Sequence, residues 1–300
     1  DYPSGWIGRY QALRSSLLTI NINPAIAAKI SKDFSIGAGL NLQYADAKLS
    51  NEIDFGTIGR RFGLSTLPQG ADGSLDVQGE DWSVGYNVGL LYAPSRSTRI
   101  GLAYRSGIKH ELEGRARFTV PTSAAALTRT GQFTNTNASA ELSLPDTVSL
   151  SAYQKISPSV ALVGDVTWTN WSQFRELRID FENPRQADAV QPQNWKDTIR
   201  VALGMNYDVN PALTLRAGVA YDPTPVRDEF RTARIPDGDR TWLSIGASYR
   251  PSPSLSLDIG YTHVFIPDVT IDETGATGDR LLGSYNSQVN IFGVQAVWSF

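Results

Sequence analysis

Apolar residues recur at every second position along nearly the whole chain, a period that belongs to β-strands and not to helices. In "FSIGAGLNLQY", Phe34, Ile36, Ala38, Leu40, Leu42 and Tyr44 share one face, and Ser35, Gly37, Gly39, Asn41 and Gln43 the other. "LLTININPAIAAKI" sets Leu18, Ile20, Ile22, Pro24, Ile26, Ala28 and Ile30 against Thr19, Asn21, Asn23, Ala25, Ala27 and Lys29. The closing "NIFGVQAVWSF" does the same with Phe292, Val294, Ala296, Trp298 and Phe300. Eleven such segments begin near residues 16, 34, 82, 98, 141, 159, 196, 213, 241, 254 and 287. Most are about ten residues or longer, the length a tilted strand needs to cross a bilayer.

A soluble β-sandwich also alternates, but its strands are typically about 5–6 residues and its loops do not sort by length. Here they do sort. Short connections at 31–33, 93–98, 157–159, 208–212 and 250–254 take turns with long ones near 45–81, 111–140, 170–195, 222–240 and 267–286. Tight turns at one end and long loops at the other are the mark of an outer-membrane barrel, with the turns on the periplasmic side. Lipid offers backbone amides no partner, so a sheet that spans it must close on itself. Tyr44, Trp82, Tyr92, Tyr104, Trp168, Trp171, Tyr207, Tyr221, Trp242, Tyr249 and Trp298 lie near strand ends, where an interfacial aromatic girdle belongs. The fold class is therefore all-β: a transmembrane antiparallel β-barrel, with residues 1–300 forming part of one domain.

Composition narrows the function. The 27 basic and 30 acidic residues give −3, which offers nothing to nucleic acid. Cysteine is absent, so thiol chemistry and Cys-bound metal are excluded. No run of about 18 apolar residues forms a transmembrane helix. An outer-membrane enzyme would need an activated nucleophile, yet there are only two histidines and no GxSxG, HExxH or Walker loop. His110 reads as the start of a long loop and His263 as an interfacial residue on the lipid-facing register. No enzyme, cofactor or metal is expected. A metal site at Asp228, Asp237 and Asp239 is the weaker reading of "IPDGDR", whose Asp237-Gly238 pair reads as a turn and whose Asp239 and Arg240 read as loop clamps. Lys29, Arg105, Asp165, Arg200, Arg216 and Asp258 fall on the luminal register and read as water-facing or paired across the interior.

With the C-terminus on the periplasmic side, eleven strands place Asp1 outside. Single-chain bacterial barrels have even strand numbers, so an odd number of strands is expected to precede this sequence.

Four stretches, "TNWSQFRELR" (169–178), "NWKDTIRVALG" (194–204), "LTLRAGVAYDPTPV" (213–226) and "RIPDGDRTWLSIGASY" (234–249), resemble the FadL/TodX family of outer-membrane transporters of long-chain fatty acids and hydrophobic compounds. "GRYQALRSSLLTININPAIAAKISKDFSIGAGLNLQYADAKL" (8–49) is similar to the family's middle strands. The resemblance implies a barrel of about fourteen strands, with an N-terminal hatch and the first strands lying before Asp1. It implies passive uptake of fatty acids or similar apolar molecules across the outer membrane of a Gram-negative bacterium. Capture would occur in a groove between two external loops, with lateral exit into the membrane. A transporter of neutral aromatic hydrocarbons such as toluene is the alternative, and a general porin a more remote one. Outer-membrane lipid, lipopolysaccharide and the barrel-insertion machinery, reading the terminal strand at Phe300, are the other implied partners.

Apolar side chains on external loops cost about 25 cal/mol per Å² exposed, so they must cover one another, lipid or ligand. The first long loop offers Phe55, Ile58, Phe62, Leu64 and Leu67; the second offers Leu127 and Phe133, beside Phe118 and Val120. These are the candidate groove residues. A carboxylate is best met by Lys or Arg, and the candidates are Lys48, Arg60, Arg61, Arg129 and Lys196, with Lys48 and Lys196 the preferred pair. The family's basic head-group positions fall at Asn51 and Gln191, and neither is basic, which makes the neutral-ligand alternative a serious runner-up to the fatty acid.

Overall fold

The computed structural model describes residues 1–299. Among them are β1 (Arg14–Ile22), β2 (Ala25–Lys29), β3 (Phe34–Asp54), β4 (Asp72–Tyr92), β5 (Thr98–Arg105), β6 (Ile108–Thr119), β7 (Thr136–Leu144), β8 (Thr147–Lys155) and β9 (Val160–Thr169). They continue with β10 (Glu176–Phe181), β11 (Ala189–Pro192), β12 (Thr198–Asn210), β13 (Leu213–Asp222), β14 (Arg240–Ser252), β15 (Leu255–Thr274) and β16 (Arg280–Trp298). One α-helix, α1 (Phe55–Arg61), joins β3 to β4, and a 3₁₀ turn (Thr122–Thr130) lies between β6 and β7. All strands join one antiparallel sheet in which β1/β2, β11 and β16 are each paired on one side only among the described residues. The terminal Phe300, assigned above to the insertion machinery, lies outside the described residues.

Sixteen segments stand where eleven were read from the sequence, because several crossings are interrupted part-way. β4 pairs with β5 through Asn87–Tyr92 and with β6 through Ser74–Glu80, so those two lie end to end along it. β8 and β7 follow β5 and β6 in the same way, and β9 and β10 follow in turn. Asp146, after the break at Pro145, ties the interruptions together. Its carboxylate accepts from the Tyr104 hydroxyl (2.6 Å) and the Gly107 N–H (3.0 Å), and its carbonyl from the Asn170 N–H (3.0 Å).

The outer face follows the alternation. Leu40, Val84, Leu203, Ile245, Ile259 and Val294 are exposed, as residues that face hydrocarbon must be. On the β3–β4 ladder the ring pairs Phe34–Tyr92 and Tyr44–Trp82, each 5.3 Å between centroids, bracket this belt. Ten residues at about 3.3 Å each, tilted about 40°, make about 25 Å, the height of an apolar barrel band. Trp242 does not belong to the girdle. It lines the lumen beside Ser244, because the parity of β14 turns Leu243 and Ile245 outward.

Facing inward are charges satisfied by neighbours. Asp165 accepts from Ser151 (2.7 Å), Thr167 (2.8 Å) and Arg200 (3.3 Å), and Arg216 donates to Asp258 (3.0 Å). His110 sits inside β6 and not at a loop. It is buried in the wall with its ring nitrogens 3.0 Å from Asp81 Oδ2 and 3.0 Å from Gln43 Oε1. His263 lies beside Phe265 and bonds Asn290 at 2.8 Å.

The long connections are shorter than their sequence suggests. Of 45–81 only 55–71 leaves the sheet, of 111–140 only 120–135, and of 267–286 only 275–279. Above Tyr44 and Trp82 the outward positions of β3 and β4 are Asp46, Lys48, Ser50, Glu52, Asp76, Gln78 and Glu80. These strands stand in water there, so the apolar half of the alternation disappears while the hydrogen-bonded ladder continues to Asp54 and Asp72.

Candidate functional site

The two loops expected to form a groove do meet, through a packed cluster. Phe55, Ala124 and Leu127 are buried there, with Ile53, Ile58, Leu64, Val120 and Phe133 against them. The Phe55 and Phe133 rings meet edge to face at 5.0 Å, and Phe118 joins at 6.0 Å from Phe133. Asp54 caps α1, its carboxylate accepting from the Thr57 N–H (2.8 Å) and the Gln69 N–H (3.0 Å), which folds the loop back on itself. Phe133 takes φ 53°, a left-handed backbone that a bulky residue holds only under constraint. Its N–H donates to Gln186 Oε1 (2.9 Å) and its ring is clamped by the cluster.

Of the seven apolar candidates, then, Phe55 and Leu127 are buried within the glue between loops, and Ile58, Leu64 and Phe133 pack beside them. Phe62 and Leu67 remain 67% and 72% exposed on the outer surface. The two lysines are elsewhere. Counting by twos from Tyr44 puts Lys48 on the outer wall, where it sits 3.8 Å from Asp46 and borders a groove with Arg115 and Arg117. Lys196 is exposed in the connection before β12, its backbone N–H donating to Pro225 O (3.0 Å). The structure brings neither lysine to the apolar cluster or to the lumen.

Below the loops lies a luminal cavity of about 430 Å³. One wall is apolar, from Leu49, Leu75, Leu177, Ile179, Ala189 and Val190, and the hairpin tip at Gly275 and Ala276 borders it above. The other wall is polar and includes Asn51, Gln191, Arg234 and Glu273. Arg234 comes from the connection between β13 and β14 and reaches across the sheet to the top of β3. Its guanidinium donates to Asn51 Oδ1 (3.0 Å), Arg14 O (3.1 Å), Ser15 Oγ (3.3 Å) and Ser50 O (3.3 Å). All four acceptors are neutral, and among the described residues no carboxylate lies within 4.0 Å of it. Burial pushes its pKa down to about 10, with Glu273 opposing the shift, so it is charged at neutral pH. Burial also raises the Glu273 carboxyl, against the pull of the Ala233 N–H (2.8 Å), Arg234 and the Gln191 amide (2.8 Å).

The "IPDGDR" segment holds this connection in shape. Asp237 accepts from the Thr224 hydroxyl (2.6 Å), and Asp239 from the Thr224 N–H (2.9 Å) and the Tyr221 hydroxyl (2.5 Å). Asp228 pairs with Arg231 at 2.6 Å. Protein donors thus occupy the three carboxylates weighed as a metal site, and among the described residues no metal-binding group is present. Sequence reasoning missed Arg234 altogether; its one signal was a lone basic residue directly before "IPDGDR".

The profile of the family described as outer membrane protein transport protein (OMPP1/FadL/TodX) matches residues 1–300. Outer membrane protein P1 of Haemophilus influenzae is 30% identical over 325 residues, which cover 100% of this chain and 68% of the relative. The long-chain fatty acid transport protein of Escherichia coli O6:H1 is 31% identical, covering 88% of this chain and 62% of its own length. This chain accordingly spans roughly two thirds of such relatives, and only 53% of an outer membrane protein of Neisseria meningitidis that is 32% identical to it. The crystal structure of a Pseudomonas aeruginosa FadL homologue superposes with a TM-score of 0.90 at 27% identity, covering 99% of this chain and 71% of that one. The Pseudomonas putida toluene transporter TodX shares the fold, with a TM-score of 0.71 at 14% identity, covering 98% of this chain and 74% of its own.

Proposed function

The chain belongs to the OMPP1/FadL/TodX family of outer-membrane transport proteins of Gram-negative bacteria, and from that premise we propose that it takes up long-chain fatty acids passively through the cavity at Arg234. The observation that carries the reading is a charged guanidinium in a half-apolar luminal cavity, held by neutral acceptors alone. A carboxylate supplies the missing counter-charge through charge-assisted hydrogen bonds, and the alkyl chain lies on Leu75, Leu177 and Ile179. Phe62 and Leu67, exposed outside, give apolar ligand its first contact, and the packed loop cluster beneath them sets their position. Transport runs down a gradient, with burial of ligand surface at successive stations and lateral release into the membrane. Lipopolysaccharide covers the outer wall around Lys48.

The test is equilibrium binding and liposome uptake of oleate and toluene by the whole protein, wild type against Arg234→Gln. Hydrogen bonds to a charged group are worth about 1.5–3 kcal/mol, so oleate affinity should fall roughly 10- to 150-fold with toluene unchanged. Unaltered oleate binding refutes the assignment of Arg234. Equal entry of toluene in both proteins with no oleate binding in either favours a neutral hydrocarbon, the reading that Asn51, Gln191 and the Glu273 carboxyl support. A general porin would be indifferent to Phe62→Ala.

A further inference from the structure

Lateral release sets a charge problem. A fatty acid held at Arg234 is a carboxylate, and a bare carboxylate enters hydrocarbon only at a prohibitive desolvation cost unless it is first neutralised. A proton must reach it before it leaves, and one carboxyl group, Glu273, lines the same cavity as Arg234.

Glu273 and Arg234 are set side by side yet do not pair. The Glu273 carboxylate accepts from the Ala233 N–H (2.8 Å), one residue before Arg234, and from the Gln191 amide (2.8 Å). The Arg234 guanidinium is held instead by Asn51, Arg14 O and Ser50 O at the tops of β1 and β3. Among the described residues no carboxylate lies within 4.0 Å of it. The cavity thus presents a cation and a separate acid to one guest. A guest carboxylate on Arg234 becomes the second carboxyl group in a half-apolar site, and two such groups share a proton more readily than either ionises alone.

Other charged groups around Glu273 have their own partners. Asp279, on the β15–β16 hairpin, accepts from the Gln11 amide and the Thr277 hydroxyl. Arg231 is held by Asp228 and Asp272 by Arg280, each at 2.6 Å. Tyr2 donates to the Tyr285 hydroxyl (2.9 Å) and Tyr10 to Asp72 (2.7 Å), while Glu229 is exposed on the connection before β14. Burial raises the Glu273 carboxyl, with Asp279 adding to the rise, so it keeps its proton to higher pH than an ordinary glutamate.

We propose that Glu273 is the proton donor that lets a fatty acid leave this cavity as the neutral acid. The proton passes from the Glu273 carboxyl to the ligand carboxylate, which leaves Glu273 ionised and the ligand uncharged. Water in the lumen then returns a proton to Glu273, so the step balances without another reactant. Loss of charge loosens the ligand from Arg234 and admits it to the bilayer. The proposal rests on the fatty-acid reading of the cavity and adds how the ligand sheds its charge before lateral release.

The test uses the whole protein with oleate, dodecyl sulfate and toluene as probes; dodecyl sulfate gives Arg234 an anion that takes no proton near neutral pH. Isothermal titration at about pH 7.5 in two buffers of different ionisation enthalpy counts protons: wild type should take up about one per oleate, and Glu273→Gln close to none. Release of bound oleate into phosphatidylcholine vesicles, followed by stopped flow, should be about 10-fold slower in Glu273→Gln at about pH 6, and the two proteins should converge as pH rises. Dodecyl sulfate should bind both and leave both equally slowly, and toluene uptake should not change. A wild type that takes up no proton, or a variant that releases oleate at the wild-type rate, overturns the proposal. If Glu273→Gln also loses toluene uptake, Glu273→Asp decides: restored proton uptake and fast release support the proposal, and failure to restore them overturns it. Oleate binding that falls in Arg234→Gln but carries no proton leaves the fatty-acid reading standing and overturns only the role of Glu273. A wild type that binds neither anion overturns both.

Discussion

Truncating Phe55 should release the external loops without harming the barrel below. The side chain is fully buried (0% exposed), with Phe133 at 5.0 Å and Ala124 and Leu127 packed in the same cluster. Phe→Ala in a closed core costs about 3–5 kcal/mol from lost transfer energy and the cavity left behind. The cluster stands above the membrane and joins α1 to the 3₁₀ turn, so the loss falls on local opening of 55–71 and 120–135 and not on the sheet. At 1.36 kcal/mol per tenfold, amide exchange in α1 should accelerate by roughly 10² to 10³·⁵ in Phe55→Ala. Exchange in β12–β14 should not change. Phe62→Ala is the control: at 67% exposed it should alter exchange by less than about threefold while slowing uptake of apolar ligand. The measurement is hydrogen–deuterium exchange with mass spectrometry in detergent. Unchanged exchange in α1 of Phe55→Ala would refute the view that this cluster fixes the loops.

Gly56→Ala should disrupt the same loop by another route, since a Cβ there would run into the backbone carbonyl of Leu67; faster protease cleavage between 62 and 70 would report it. Glu273→Gln removes a carboxyl whose pKa burial has raised, and a raised acid stabilises the fold when protonated and loses that contribution as pH climbs through its folded pKa. The variant should therefore equal wild type in melting temperature near pH 4 and match or exceed it at pH 8, with tighter oleate binding at pH 8. Asp239→Asn should cost about 1–3 kcal/mol in the 223–239 connection, read by exchange at Thr224. Burial alone would push the Asp239 carboxyl up, but the Tyr221 hydroxyl and Thr224 N–H more than offset it and hold it below its ordinary 3.8. Its contribution is thus present above that value and fades as pH falls through the folded pKa, so wild type and variant should converge in strong acid.

The sequence disclosed those parts of the fold that depend on lipid. Leu40, Val84 and Ile245 must be apolar because hydrocarbon faces them, and a period of two therefore shows through. Where the same strands rise into water the constraint lifts, and 45–54 and 72–81 read as loop although the ladder runs on. The strand breaks at Ser106–Gly107 and Pro145 are equally hidden, because Asp146 stabilises them through partners in neighbouring strands. The candidate site was legible in half. That Phe55, Leu127 and Phe133 needed cover followed from the cost of exposed rings, but whether loop or ligand covers them depends on contacts between distant segments. Lys48 could have been placed on the outer wall by counting from Tyr44. Arg234 could not be found this way, since its partner Asn51 lies 183 residues away and no local pattern links them.

The ladder between β3 and β4 continues ten residues past the Tyr44–Trp82 pair to reach Asp54 and Asp72. At the same rise and tilt that adds about 25 Å, so the wall stands about as tall above the hydrocarbon as within it. The protein is built like a chimney. Phe62 and Leu67, proposed above as the ligand's first contact, are carried clear of the lipid phosphates into the zone of the surface sugars. On the proposed reading, greasy molecules that cannot diffuse through that hydrated coat are met on its far side, and the sugar layer is bypassed before any of them reaches the bilayer.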